Sequence, residues 1–355
     1  MTDHECTALP EAQERIALGM KILIREGCAA RDFDALMPLL ARYDKELMFC
    51  TDDAYPDDLQ QGHIDALVRR AIAAGMPFWN VLQAACATPV AHYGLPIGQL
   101  RVGDSADFIV VDNFRSLTIL NTYIGGTKVY DRYEGVQPAL HVRTRRTTAA
   151  LPNNFKARPV GVADLQVEAT GSKMRVIAAH ERSLLTDVLT VAPRVEAGYV
   201  LTDTRKDVLK LVVQNRYEEA APQVAFIHGF GLKRGALAST IAHDSHNIIA
   251  VGVSDTDLAA AINALVSSKG GMVAVCGDRQ ELLPLPVAGL MSDEEGTEVA
   301  RVHARLRTMA QHMGCRFEAP FMTLAFMALP VIPRLKLTDR GLFDSEHFCF
   351  TPLFC

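Results

Sequence analysis

The chain has 355 residues, 49% hydrophobic and 22% charged, with a formal net charge of -5. That is the composition of an ordinary globular protein with room for two or three domains. The acidic balance argues against a nucleic-acid binder, and no apolar run reaches the length of a membrane span. The polar start Met1-Thr2-Asp3-His4-Glu5-Cys6 lacks the basic flank and apolar core of a signal peptide. The 8 cysteines show no CxxC spacing, so free thiols and a cytoplasmic setting are expected.

In chain order, a helix is expected from about Pro10, capped by Thr7, with Glu11 in its first turn. Lys21 to Arg25 reads as a short strand closed by Gly27, and Phe33, Leu36, Met37 and Leu40 keep helical spacing. The apolar strand Leu47-Met48-Phe49-Cys50 runs into Thr51-Asp52-Asp53, then Pro56 and a helix opening at Asp57-Asp58 that continues through Ile64, Leu67, Val68 and Ile72. Another helix follows Pro77. Strand and helix alternate over residues 1–93, which implies a parallel sheet with outer helices, too few units to close a barrel.

The texture changes near Gly94. Gly98 to Asp112 reads as turn, short strand, turn, strand, and Ile119 to Tyr130 as a hairpin around Gly125-Gly126. Residues 143–160 read as a linker. From 161 onward strands are expected at 174–178, 208–213, 247–253 and 272–275, with helices at 255–268 and 292–313, an α+β pattern.

Several groups are candidates for chemistry. Asp52 and Asp53 follow a buried-looking strand, where barrel enzymes keep catalytic acids. They could equally cap a helix. Neighbouring strand residues point to opposite sides, so at most one of them faces a site. Asp3-His4-Glu5 is either a loose terminus or carries a metal-ligating histidine at the end of a strand, a strand that would have to precede Met1. His243-Asp244-Ser245-His246 offers imidazoles to a metal or substrate, or forms a turn closed by its own polar groups. Gly229-Phe230-Gly231 with Lys233 lacks the order of a phosphate loop and reads as a turn between strands. Met322, Leu324, Phe326 and Leu329 read as core. On composition and spacing alone these residues reach an α/β protein with an acid at a strand end, not a reaction.

Four blocks carry a resemblance over essentially the whole chain. They are DHECT with ALGMKILIREGCAARD, FCTDDAYPDDLQQGHIDALVRRAI, GLPIGQLRVGDSADFIVVD, and the stretch from GFGLKRGALASTIAHDSHNIIAVGV through LPLPVAGLMSDEEG to APFMTLAFMALPVIPRLKLTDRGLFD. The chain resembles the adenine deaminase family of the amidohydrolase superfamily. The resemblance implies the later part of a (β/α)8 barrel over 1–93, part of a small β-sandwich over 94–142, and the family's own α+β domain over 161–355. It implies hydrolytic deamination of adenine to hypoxanthine and ammonia, with a divalent metal, Mn(II) or Fe(II), activating water. Asp52 then matches the acid that also contacts the metal, and His4 matches a histidine ligand. Asp53 and His246 are substrate-proximal at most, and Glu5 has no assigned role. The remaining ligands of that family have no counterpart in this chain, so two metals are not expected to bind it alone. A complementing N-terminal chain, or a non-catalytic fragment with a structural or oligomerisation role, are the alternatives to an intact enzyme. A homo-oligomer is expected, and neither nucleic acid nor a membrane is.

Overall fold

A computed structural model describes residues 1–136 and 152–355. The elements run β1 (Thr2–Asp3), α1 (Leu9–Ala17), β2 (Lys21–Arg25), α2 (Phe33–Leu36), β3 (Leu47–Cys50), α3 (Pro56–Leu59), α4 (Ile64–Ala73), α5 (Phe78–Leu82) and α6 (Thr88–Tyr93). Then come β4 (Phe108–Val111), β5 (Ile119–Ile124), β6 (Thr127–Asp131), β7 (Gly135–Val136), β8 (Met174–Ala179), β9 (Thr186–Val191), β10 (Arg194–Glu196), β11 (Tyr199–Leu201), β12 (Val208–Gln214), β13 (Gln223–His228), β14 (Ala236–Ser239) and β15 (Ile248–Gly252). The chain ends with α7 (Asp255–Ser268), β16 (Gly271–Cys276), β17 (Arg279–Pro284), α8 (Gly296–His312), α9 (Pro320–Phe326), β18 (Leu335–Thr338), β19 (Gly341–Asp344) and β20 (Cys349–Phe350). No helix among the described residues is long and apolar enough to cross a membrane.

The chain groups into two compact units. The first takes residues 1–27, 31–54 and 61–149, and the second takes 28–30, 55–60 and 150–355. In the first unit, β1, β2 and β3 form a parallel sheet in that order. Ile22 and Ile24 of β2 and Leu47 and Phe49 of β3 bury against Phe33, Leu36, Leu67, Val68 and Ala71 of the helices. Each strand therefore runs the same way, and all three release their chain at one edge. The same unit holds an antiparallel sheet, β4-β5-β6-β7. Its central hairpin turns at Gly125 and Gly126, with φ of 56° and 76°. Glycines suit such a two-residue hairpin turn, which needs a positive φ at both positions.

Four local expectations are corrected here. Ala8, not Thr7, precedes α1 and caps nothing; instead the Glu11 carboxylate accepts the Thr7 N–H at 3.1 Å. The helical spacing after Phe33 stops at Leu36 and tightens into a 3-10 turn over Met37–Ala41, because Pro38 has no N–H to continue the ladder. The helix expected from Asp57 to Ile72 breaks after Leu59, and α4 restarts at Ile64, with the Asp65 carboxylate accepting the His63 N–H at 2.8 Å. No strand forms over 98–103. The Asp107 and Asp104 carboxylates take the N–H groups of Gly98 and Gln99 at 2.9 and 2.8 Å, and that closes a turn.

The second unit is built on one large sheet, ordered β17-β16-β14-β15-β12-β13-β8-β9. All its neighbours are antiparallel except β8 and β13. Strand β12 is buried throughout, so both faces are covered. Leu209, Leu211 and Val213 pack on the face that holds Leu306, Phe321 and Leu324 of α8 and α9. Val212 packs on the other, with Leu258, Ile262 and Leu265 of α7. The Ser254 hydroxyl accepts the Asp257 N–H at 3.1 Å and starts α7. The core assigned to Met322, Leu324, Phe326 and Leu329 is buried, each below 8% exposure.

Residues 143–151 of the expected linker lie outside the described residues. From 152 the chain packs on the second unit: Ala157 and Val160 are buried, and the Lys156 N–H donates to the Arg216 carbonyl at 2.7 Å. The Gly229 turn is also settled. A Cβ on Gly229 would meet the Ala179 carbonyl oxygen at 2.4 Å. The N–H groups of Gly229 and Gly231 go to the Asp207 carboxylate at 3.1 and 2.8 Å, and Phe230 is core. These amides have an internal acceptor, which leaves no cradle for phosphate.

Candidate active site

The open edge of the parallel sheet is where the chemistry gathers. Chain leaving β1 presents His4 and Glu5, β2 ends in Arg25, and chain leaving β3 presents Thr51 and Asp52. The Asp3 carboxylate shapes the first of these. It accepts the N–H groups of Glu5 and Cys6, each at 3.0 Å, and pairs with Arg15. The start of the chain is thereby tied to α1, and His4 does follow a strand, because Thr2–Asp3 pairs with Lys21 and Ile22. The expectation that this strand would precede Met1 is corrected.

Arg25 is the hub. Its side chain is only 3% exposed. One side of the guanidinium, Nε and Nη2, faces Asp32 Oδ2 at 3.3 and 3.2 Å. Nη1 lies 3.2 Å from Asp52 Oδ2 and 3.2 Å from Glu5 Oε1. Glu5 Oε1 is in turn 3.3 Å from His4 Nε2. Burial works against the charge on Arg25, but Glu5, Asp32 and Asp52 outweigh it and hold its pKa above the ordinary value. Burial pushes the Asp32 carboxyl up, with Arg25 pulling the other way. Cys50, just behind Asp52, is pushed up to about 12 by burial and by the Asp52 charge, so its thiol stays protonated.

Asp52 has a left-handed backbone, φ 53°, uncommon for a non-glycine residue. That conformation turns the chain at the strand end and leaves its side chain 35% exposed. Beside it, Thr51 Oγ1 is 3.0 Å from His63 Nε2. The structure therefore brings His4 and Asp52 to one edge, bridged through Glu5 and Arg25. Sequence reading missed Arg25, Asp32 and His63. The signal for Arg25 was an arginine ending the apolar strand KILIR, between two strands that end in candidate residues.

The other histidine candidate belongs to the second unit. His246 has φ 52°, and its Nδ1 accepts the Ala242 N–H at 3.2 Å, closing the loop that holds it. Burial, then His243 and Arg216, lower its pKa. A 190 Å³ pocket beside the loop is lined by residues that include His243, Ser245, Asn247, Asp339 and Arg340. Asp57 and Asp58 also serve this unit. Asp57 accepts from Arg307 at 2.7 Å and lies 2.7 Å from His303 Nδ1, while Asp58 takes Arg307 at 2.9 Å.

The amidohydrolase family model matches residues 1–129. The model of the adenine deaminase C-terminal domain matches residues 183–349. The chain is similar to adenine deaminases over nearly all of its length. It is 50% identical to an adenine deaminase of Salinibacter ruber, over 99% of this chain and 64% of that protein. It is 48% identical to one of Parabacteroides distasonis, over 99% and 64%, and 46% identical to one of Methanosarcina mazei, over 99% and 65%. The chain thus spans under two thirds of the length of these adenine deaminases. The amidohydrolase match takes in the whole strand-end cluster, from His4 to His63. The match to the adenine deaminase C-terminal domain takes in the His246 loop and the lining of the 190 Å³ pocket except Phe350.

Proposed function

We propose that this protein acts in the hydrolytic deamination of adenine, with Asp52 as the proton-transferring acid. The observation that carries the reading is the similarity to adenine deaminases over 99% of the chain. It favours an enzyme over a purely structural fragment. The reaction adds water at the ring carbon that bears the amino group and expels ammonia. One carboxylate can take the proton from water and hand it to the departing amine, a contribution of about 10²–10⁴ in rate. Asp52 is suited to this, at the end of a parallel strand and open to solvent on one side. The three parallel strands and their helices are read as the later part of a (β/α)8 barrel, whose active site lies at this end of its strands.

The amidohydrolase family implies a divalent metal, which supplies an activated water. The residues described here do not make its site. Among them no three His, Cys, Asp or Glu side chains gather to hold a metal ion. His4 and Asp52 are the two donors the family match nominates, and Asp52 faces a guanidinium instead. No step is routed through the metal.

The test is hypoxanthine formation from adenine, followed by ultraviolet absorbance with Mn(II) present. The chain is assayed alone and with a second polypeptide carrying the part of a relative that lies outside the matched region. Turnover in either preparation, with other aminopurines slower, is the expected result. No adenine turnover in either, from folded protein, overturns the proposal.

A further inference from the structure

The strand-end cluster already contains a cation, and its position conflicts with the metal that the family implies. Three carboxylates, Glu5, Asp32 and Asp52, face one guanidinium. Arg25 cannot swing out freely: it ends the middle strand, its side chain is 3% exposed, and Asp32 grips Nε and Nη2. Only Nη1 points at the outer pair, and it stands 3.2 Å from Glu5 and 3.2 Å from Asp52. An ion bound to chain leaving β1 and to Asp52 at once would need that same place. Two cations a few ångströms apart in a partly buried site repel strongly.

We propose that Arg25 is the resident counter-cation of these carboxylates, and that a divalent ion and the Arg25 guanidinium exclude one another at Asp52. Asp32 gives the guanidinium somewhere to stay when Nη1 is displaced. Arg25 is thus a positioning residue: it fixes the Asp52 carboxylate while no metal is bound and sets how tightly one binds. The inference concerns the site of the proposed deaminase, but its test reads binding, so neither stands or falls with the other.

The experiment is Mn(II) titration of the full chain, read by the free-ion electron paramagnetic resonance signal. Arg25→Ala is expected to bind Mn(II) at least tenfold more tightly than the parent chain, and the gain is expected to vanish in Arg25→Ala/Asp52→Asn. Added guanidinium chloride at low millimolar concentration is expected to refill the vacated place. It should weaken Mn(II) binding by Arg25→Ala and leave the parent chain unaffected. Where Arg25→Ala folds only with guanidinium present, Mn(II) should displace the guanidinium. Equal or weaker Mn(II) affinity in the folded variant overturns the inference, as does simultaneous binding of both cations.

Discussion

Lys336 on β18 is fully buried, and its Nζ donates to the Leu184 carbonyl at 2.8 Å. Burial alone lowers its pKa from 10.5 to about 7. At about 1.36 kcal/mol per pH unit, that drop is a penalty of about 5 kcal/mol on folding at neutral pH. Lys336→Met keeps the length and removes the ammonium. It also takes a donor from Leu184, at a cost of about 1–3 kcal/mol. The variant is therefore expected to be more stable than the parent by about 2–4 kcal/mol at pH 7. Between about 7 and 10.5 the unfolded chain binds a proton that the folded chain does not, so parent stability rises with pH through this window. The variant's advantage shrinks accordingly and reverses near the upper end. Urea denaturation of both proteins from pH 6.5 upward, followed by far-ultraviolet circular dichroism, measures this directly. A stability difference that does not change across the window would refute the reasoning.

Other outcomes follow from named contacts. Tyr55→Phe removes the hydroxyl that accepts the buried Met322 N–H at 2.6 Å, and should cost about 1–3 kcal/mol in the same denaturation assay. A stability equal to the parent would mean that this N–H finds another acceptor. Ser254→Ala deletes the cap of α7 and should lower stability by about 1 kcal/mol, while Ser254→Gly costs less; the reverse order would count against a capping role. Limited proteolysis is expected to leave a stable fragment that retains the chain from about residue 152, since Ala157 and Val160 already pack on the large sheet. Rapid loss of every fragment would show that the second unit does not stand alone.

What was legible in the sequence was mostly local. Helix α7 matched its expected span because its apolar stripe at helical spacing does not depend on distant residues. Strand β3 was legible for the same reason, as an apolar run ending in acids. The left-handed turn at Asp52 was not, since only the packed strand end imposes it. Arg25 escaped because its role depends on β1 and β3 flanking β2, a pairing no local pattern reveals. Asp57 and Asp58 read as helix-opening acids, yet their partners His303 and Arg307 lie about 250 residues away along the chain. Helix spacing carried the reading straight across Gly62, although the helix ends after Leu59, and α3 belongs to the second unit while α4 belongs to the first. What no local signal reaches is long-range pairing of charges, and that is what the candidate site is made of.

The most direct measurement compares Asp52→Asn with Asp53→Asn in adenine turnover, with circular dichroism confirming that both fold. Asp52→Asn is expected to lose about 10²–10⁴ in rate, and Asp53→Asn much less. An Asp52→Asn protein that still converts adenine at the parent rate would contradict that expectation.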